Sequence, residues 1–216
     1  MLSPTCQAPS YVLLNCLAKV GKTTPFLKRQ VIFSIGDRSD ALFLIQAGSV
    51  KLTVASREGT EAVTSVLERG QFFGDEALDP QWLPRSTNAI ALSNVRVARI
   101  ERETILHGLL TNPDVCAAII SHLVRQVATL RQEMADTLLY NSEQRLARAL
   151  LSLLQLGEPD DPQAVPNLSQ QDLADMIGAT RQRVNALMQR FRELGFVDYS
   201  RGLRVHSSIR NVAGID

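Results

Sequence analysis

The most informative stretch of this chain runs from Ser169 to Phe191 and reads Ser-Gln-Gln-Asp-Leu-Ala-Asp-Met-Ile-Gly-Ala-Thr-Arg-Gln-Arg-Val-Asn-Ala-Leu-Met-Gln-Arg-Phe. Ser169 followed three residues later by Asp172 predicts a capped helix start, and Gly178 predicts the end of that helix. Thr180 is a second cap and predicts a further helix. Two helices joined by such a tight, glycine-containing turn are typical of a helix-turn-helix.

The second of these helices has one apolar face and one polar face. Its spacing predicts that the buried residues are Val184, Leu187, Met188 and Phe191. A helix-turn-helix presents the first turn of its second helix to base edges in the major groove, where arginine matches guanine and glutamine matches adenine. Backbone N–H groups at a helix start can also hold a phosphate. We therefore expect DNA contacts from Ser169, Gln170, Thr180, Arg181, Gln182, Arg183, Asn185, Ala186 and Arg201.

Charge is distributed unevenly along the chain. The formal net charge is only +1, yet between Gly178 and Arg210 seven arginines stand against Glu193 and Asp198. This local excess of five positive charges over 33 residues is typical of a nucleic-acid-binding surface.

A short hairpin is predicted after the two helices. Residues Gly195 to His206 indicate two short strands around Ser200-Arg201-Gly202, which would form a wing. An arginine-rich, solvated helix pair without function is the alternative. The ordered set of caps, turn, exposed first turn and wing favours a winged helix-turn-helix that binds double-stranded DNA.

A long helix is predicted upstream, from Asn112-Pro113-Asp114 to about Tyr140. Apolar or small side chains recur there every 3.5 residues on average, at Cys116, Ile120, Leu123, Val127, Leu130, Met134 and Thr137. Such a seam favours a homodimer through residues 116–137, and the alternative is a helix packed on its own domain. Asn141-Ser142 then predicts the cap of a helix that ends near Leu156.

The first half of the chain has the pattern of an antiparallel β-domain. Short β-branched or aromatic runs predict strands at Val31 to Phe33, Leu42 to Gln46, Val50 to Ala55, Ala62 to Leu67, Asn88 to Ala91 and Val95 to Ile100. Glycines punctuate them at positions 36, 48, 59, 70 and 74, as in a sandwich or roll. The predicted fold class is therefore α+β, with domains at residues 1–111, 112–140 and 141–216.

Composition excludes several classes of protein. With 216 residues, 45% hydrophobic and 21% charged, the chain is neither disordered nor collagen-like. No apolar run approaches the ~20 residues that a membrane span needs, and no export signal is apparent, so we expect a cytoplasmic protein. Three cysteines without a CxxC pair and three scattered histidines predict neither a disulfide framework nor a metal site.

Enzymatic function is not expected. The run Lys19-Val-Gly-Lys-Thr-Thr24 is similar to the end of a phosphate-binding loop, but Cys16 stands where the leading glycine belongs and Pro25 follows directly. A nucleotide-binding module that acts through protein contacts alone is a second alternative. The exposed Arg181 and Gln182 argue against it.

From about residue 25 to residue 210, the chain resembles the cyclic-AMP receptor protein and FNR family of bacterial transcription regulators. The resemblance rests on Gly36, Gly48, Gly59 and Gly70, the run Gly70-Gln-Phe-Phe-Gly-Asp-Glu-Ala-Leu78, Arg85-Ser86-Thr87, the Asn112 helix start and the winged helix-turn-helix. It implies a β-roll sensor domain with a jelly-roll topology, a dimerising central helix and a C-terminal domain that reads a two-fold symmetric operator. RNA polymerase is the implied partner. Residues 56–61 and 158–162 are candidate contacts with it, although ordinary solvated turns are the favoured interpretation of both loops.

The resemblance also implies an effector site at Gly74, Asp75, Glu76, Arg85, Ser86, Thr87, Leu130 and Arg131. Gly74, Arg85 and Ser86 match the family's phosphate contacts. Asp75 replaces the glutamate that meets the ribose, and Glu76 beside it is a possible substitute. Leu130 and Arg131 stand where cyclic-AMP binders place small hydroxyl side chains.

The identity of the effector stays open at this stage. Cyclic AMP, cyclic GMP and cyclic di-GMP are candidates, as is a relic pocket in a protein that binds DNA constitutively or senses redox state or haem. Cys6 and Cys16 cannot supply the cysteine set of an FNR-type iron–sulfur cluster.

In the recognition helix, Arg181 retains the family's first arginine, while Gln182 and Ala186 replace a glutamate and a second arginine. The resemblance therefore implies a different operator specificity.

Overall fold

The computed structural model describes residues 21–55, 61–79, 81, 83–154, 165–166, 168–199 and 202–214. Its internal contacts divide the chain into two units, residues 1–50 with 67–130 and residues 51–66 with 131–216. Predictions that concern residues 1–20, Cys6 and Cys16 among them, lie outside the described part of the chain.

Within the described residues, the β-region contains eight strands in two four-stranded sheets. They are β1 (Lys22–Phe26), β2 (Val31–Phe33), β3 (Ala41–Ala47), β4 (Ser49–Ala55), β5 (Glu61–Glu68), β6 (Phe72–Phe73), β7 (Asn88–Ala91) and β8 (Val95–Glu101). The sheet orders are β1-β8-β3-β6 and β2-β7-β4-β5. The pairs β1–β8, β3–β8, β3–β6 and β2–β7 run antiparallel. The predicted antiparallel β-roll is confirmed, and so are all six predicted strands.

Two strands were not predicted, for physical reasons. Strand β1 contains Pro25 and lies at the edge of its sheet, the position in which proline is tolerated. Strand β6 is only two residues long, too short to show a periodicity, although Phe73 pairs with Phe43 on β3.

One apolar cluster joins β3, β6 and β8 to two helices, α1 (Arg102–Thr111) and α2 (Pro113–Leu139). Its buried members are Leu42, Leu44, Phe72, Ala98, Ile100, Ile105, Val115, Ala118 and Ile119. Burying each large apolar side chain contributes about 1.5–3 kcal/mol. Helix α1 was not predicted, because Gly108 weakens its helical pattern and its place depends on Ile105 reaching the core.

Helix α2 begins at the predicted proline and runs for 27 residues. The side chain of Asn112 accepts a hydrogen bond from the Asp114 amide at 3.0 Å, which caps the helix start. The first turns pack on the core, and Leu123 lies against it as well. Beyond them the exposed apolar side chains are Ile120, Val124, Val127, Leu130, Met134, Leu138 and Leu139. The first turns of the helix thus pack on their own domain, while most of its length leaves an apolar stripe in solvent.

The C-terminal region contains α3 (Ser142–Leu154), α4 (Gln170–Ile177), α5 (Arg181–Glu193), a hairpin of β9 (Val197–Asp198) and β10 (Arg204–Val205), and the short α6 (Arg210–Ala213). The capping box at Ser169 and Asp172 is confirmed, with N···O distances of 3.1 and 2.9 Å. Gly178 ends α4 in the left-handed conformation at φ 60°. The buried face of α5 consists of the four predicted residues, Val184, Leu187, Met188 and Phe191.

Candidate functional site

The first candidate site is the turn that follows β6. Gly74 has φ 80° and precedes a 3-10 turn, Asp75–Leu78. A Cβ built on Gly74 would lie 2.6 Å from Nη1 of Arg85. Glycine is therefore required twice, for its backbone conformation and for the close approach of the guanidinium group.

Arg85 is the most deeply anchored charged residue near this turn. Its side chain is 2% exposed and lies 4.4 Å from the centre of the Phe33 ring. Nη2 donates to the Ala41 carbonyl at 2.6 Å, and Nη1 donates to the Gly74 carbonyl at 2.9 Å. Burial lowers the pKa of Arg85, and the nearby carboxylate of Glu76 offsets this effect only in part, so the net shift is downward. An arginine nevertheless remains charged throughout the physiological range. Nε is buried and has no hydrogen-bond partner among the described residues.

The carboxylate of Glu76 faces this arginine. Its Oε1 accepts hydrogen bonds from the Ser86 amide at 3.0 Å and the Ser86 hydroxyl at 2.5 Å. Its Oε2 lies 3.4 Å from Nη1 of Arg85. Burial raises the pKa of Glu76, but the hydrogen bonds from Ser86 and the charge of Arg85 lower it further, so the net shift is downward. Glu76 is thus an anion at neutral pH.

The remaining predicted effector residues are half-buried or exposed to solvent. Asp75 is half-buried, and burial raises the pKa of its carboxyl group. Thr87 is half-buried and leads into β7. Leu130 and Arg131 lie on the exposed surface of α2. The structure therefore brings together Gly74, Glu76, Arg85 and Ser86 but leaves the two helix positions in solvent.

The chemistry of this cluster, which we call the anion cassette (Gly74, Glu76, Arg85 and Ser86), can be tested against a cyclic phosphate. Such a group needs a buried cation and N–H or O–H donors, which Arg85 and Ser86 provide. Within the part of the chain that the structure describes, Nε of Arg85 is a buried donor without an acceptor. However, Glu76 already accepts both Ser86 hydrogen bonds. The donors of Arg85 and Ser86 fit a phosphate, but the carboxylate of Glu76 already accepts from them.

The second candidate site is the exposed face of α5. The hydroxyl of Thr180 accepts from the Arg183 amide at 3.2 Å and caps the helix. Arg181, Gln182, Asn185 and Ala186 are all solvent-exposed. Gln170, on the preceding helix, donates through Nε2 to the Asn185 side-chain oxygen at 3.2 Å. The predicted base-reading residues thus share one accessible surface.

Not every predicted residue belongs to that surface in the same way. The Arg183 guanidinium donates to Ser142 at 3.2 Å, at the start of α3, and Arg190 pairs with Glu143 at 3.1 Å. These two side chains fasten α5 to α3. Ser169 is exposed but uses its hydroxyl in the capping box. Arg201 and the loop residues 56–60 and 158–162 lie outside the described residues.

Sequence reasoning missed part of this surface. A shallow depression is lined by Gln170, Asn185, Met188, Gln189, Arg192 and Tyr199. Gln189 and Arg192 follow Asn185 at helical spacing, so periodicity could have indicated them. Tyr199 comes from the hairpin, and only the tertiary structure places it there.

The described helices include none that is both long enough and apolar enough to cross a membrane.

Two family models match the chain. The model of the cyclic nucleotide-binding domain matches residues 23–112, and that of the Crp-like helix-turn-helix domain matches residues 144–214. A CRP-like cAMP-activated global transcriptional regulator of Mycobacterium tuberculosis is 24% identical over 188 residues, which cover 85% of this chain and 83% of the relative.

Two solved structures with the same fold are similar to this chain. The c-di-GMP responsive global regulator CLP of Xanthomonas campestris superposes with a TM-score of 0.73 and 19% identity, covering 91% of this chain and 99% of that one. FixK2 of Bradyrhizobium japonicum superposes with a TM-score of 0.76 and 16% identity, covering 89% and 97%. In this chain the cyclic nucleotide-binding match comes first and contains the anion cassette, and the helix-turn-helix match follows it and contains the exposed helix α5. The chain belongs to the Crp/Fnr family of transcription regulators.

Proposed function

We propose that the chain acts as a homodimer that binds a two-fold symmetric DNA site and is controlled through its β-roll, with functional divisions at residues 1–111, 112–140 and 141–216. The observation that carries the DNA-binding part is the exposed first turn of α5. Arg181, Gln182 and Ala186 stand together there on a helix whose opposite face is fully packed. A side-chain surface of this kind fits the major groove.

Contacts with DNA divide into two kinds. Arg181 and Gln182 are the proposed base readers, since arginine matches guanine and glutamine matches adenine. Ser169, Gln170 and Thr180 lie at helix starts, where contacts to phosphates set the register of the protein on the duplex. Arg183, Asn185, Ala186 and Arg201 complete the proposed DNA surface.

The apolar stripe of α2 supports the homodimer. Val124, Leu130 and Met134 are each more than half exposed, at 63%, 56% and 66%. Contiguous exposed apolar surface of this kind marks an interface. A two-fold dimer would place two recognition helices in successive major grooves, ~34 Å apart.

Control is proposed to work by a shift between dimer conformations that differ in how they present α5. The Mycobacterium tuberculosis relative is named for cAMP and the Xanthomonas structure for c-di-GMP, so a cyclic nucleotide is the effector class we propose. Leu130 and Arg131 remain candidate contacts on α2. Constitutive or non-nucleotide control is the second candidate, favoured by the carboxylate that uses the cassette donors.

Two further features complete the proposal. RNA polymerase is the proposed protein partner and the cytoplasm the proposed location. We propose no catalytic activity for the chain itself, in keeping with relatives that are regulators.

Fluorescence anisotropy on an operator library at stated salt tests the DNA-binding part. We expect Arg181→Ala to cost about 1–3 kcal/mol on the preferred operator and to relax one base position. Arg96→Ala is the matched control, because it removes an exposed arginine from β8. Equal binding of wild type and Arg181→Ala across the library would refute the assignment of α5.

A further inference from the structure

We propose that Glu76 is a built-in competitor of the effector: its carboxylate occupies the anion position of the cassette, and a cyclic nucleotide binds only by displacing it. The inference rests on the proposed function in one respect, that the cassette is the effector site.

The geometry of the donors carries the proposal. The Ser86 amide and hydroxyl converge on one oxygen of Glu76, at 3.0 and 2.5 Å, and Nη1 of Arg85 approaches the other at 3.4 Å. These are the charge-assisted donors that a phosphate would require. The Glu76 side chain is only 15% exposed, while Ser86, which donates to it, is exposed to solvent.

Two anions cannot share these donors without a large electrostatic penalty. The carboxylate and a cyclic phosphodiester each carry one negative charge, and at hydrogen-bond separation each disfavours the ionised form of the other. Asp75 is a further half-buried acid beside them, and Arg85 is the buried cation that faces the carboxylate. An incoming phosphate must therefore take the place of Glu76.

The chain departs from the implied family pattern at Asp75. Asp75 stands at the ribose position, and the next residue, Glu76, is directed back to Ser86 across ten positions of sequence. The exchange is also feasible. The donors that Glu76 uses, the Ser86 amide and hydroxyl and Nη1 of Arg85, are the ones that a phosphate would take over. Glu76 thus lowers nucleotide affinity without removing the site.

Isothermal titration calorimetry of the full chain, without DNA, tests this. Cyclic AMP, cyclic GMP and cyclic di-GMP are titrated in turn into wild type, Glu76→Gln and Glu76→Leu. Glu76→Gln keeps the size of the side chain and its ability to accept from Ser86 but removes the charge. We expect at least one nucleotide to bind each variant about tenfold or more tightly than wild type. Glu103→Gln, an exposed acid on α1, is the matched control and should match wild type.

Two results would overturn the proposal: equal nucleotide affinity in wild type and both variants, or no binding by any of the three. Far-UV circular dichroism and a thermal melt establish that the variants are folded, and Glu76→Gln is retained as the test if Glu76→Leu is not. A failure of DNA binding is separate, since the calorimetric readout contains no DNA.

Discussion

Arg85 and Arg181 have the same side chain in opposite circumstances. Arg85 is 2% exposed, and protein carbonyls and a carboxylate surround its guanidinium group. Arg181 stands in solvent at the start of α5. The donors of the anion cassette contact groups of the protein itself, whereas the first turn of α5 is exposed to solvent. On the proposed function, an effector has to displace Glu76 from the first site, whereas DNA can reach the second site directly.

The largest expected effect comes from removing the enclosed arginine. Arg85→Met leaves the carbonyls of Ala41 and Gly74 and the Glu76 carboxylate without their cation, so we expect a loss of about 3–5 kcal/mol in the free energy of unfolding. Arg181→Met should change it by less than about 0.5 kcal/mol. Urea unfolding measures both values. Similar losses in the two variants would remove the contrast between the enclosed and the open arginine.

A smaller effect on the free energy of unfolding is expected from the titration of the half-buried His122. His122 on α2 packs edge-on against Phe72, with ring centres 5.5 Å apart, and its buried Nε2 has no hydrogen-bond partner in the described ranges of the chain. Burial, with the nearby charge of Arg125, lowers the pKa of His122 from 6.5 to about 4. As pH falls below 6.5, the unfolded chain takes up the proton first, so stability declines through this window.

At pH 5 we expect this decline to amount to about 1–2 kcal/mol relative to pH 7, measured by urea unfolding. His122→Leu should remove most of the difference. His107→Gln, at an exposed position on α1, is the control and should retain it. A wild-type slope unchanged in His122→Leu would mean that another group titrates.

The smallest effect is expected for DNA affinity, from a substitution on the exposed surface of α5 and its neighbour Gln170. Gln170 holds the side chain of Asn185 by one exposed hydrogen bond of 3.2 Å. Gln170→Ala should weaken binding to the preferred operator by about 0.5–1 kcal/mol and leave stability nearly unchanged. Gln171→Ala is the matched control, because its side chain bonds Asp175 within the same helix. A larger loss in the control would place the DNA surface elsewhere.

The helix boundaries around this open surface could be predicted from the sequence because they depend on local rules. Ser169 and Asp172 satisfy each other across three residues, and Thr180 caps the next helix in the same way. Only the residue types and their spacing are needed. The buried face of α5 follows from helical periodicity for the same reason.

The anion cassette could be predicted only in part. A resemblance indicated Gly74, Arg85 and Ser86, but the sequence offered Glu76 as a substitute at the ribose position, whereas the structure directs it to Ser86. That direction depends on the 3-10 turn after Gly74 and on the loop that returns to Arg85. Neither the turn nor the loop produces a periodic signal in the sequence. Tyr199 was missed for the same reason, because its position depends on the hairpin and not on a repeating pattern.

The hydrogen bond from Arg85 to the Ala41 carbonyl spans 44 residues of sequence. Closing a loop of that length costs conformational entropy before any contact is gained, so such contacts form late in folding. The caps of α4 and α5 close over three residues and can form as soon as their helices nucleate. During synthesis, Arg85 has no place to dock until β3 is in its sheet, and β3 pairs with β8 at residues 95–101. We therefore expect the cassette to form late in folding, and a nascent chain released before β8 to lack it.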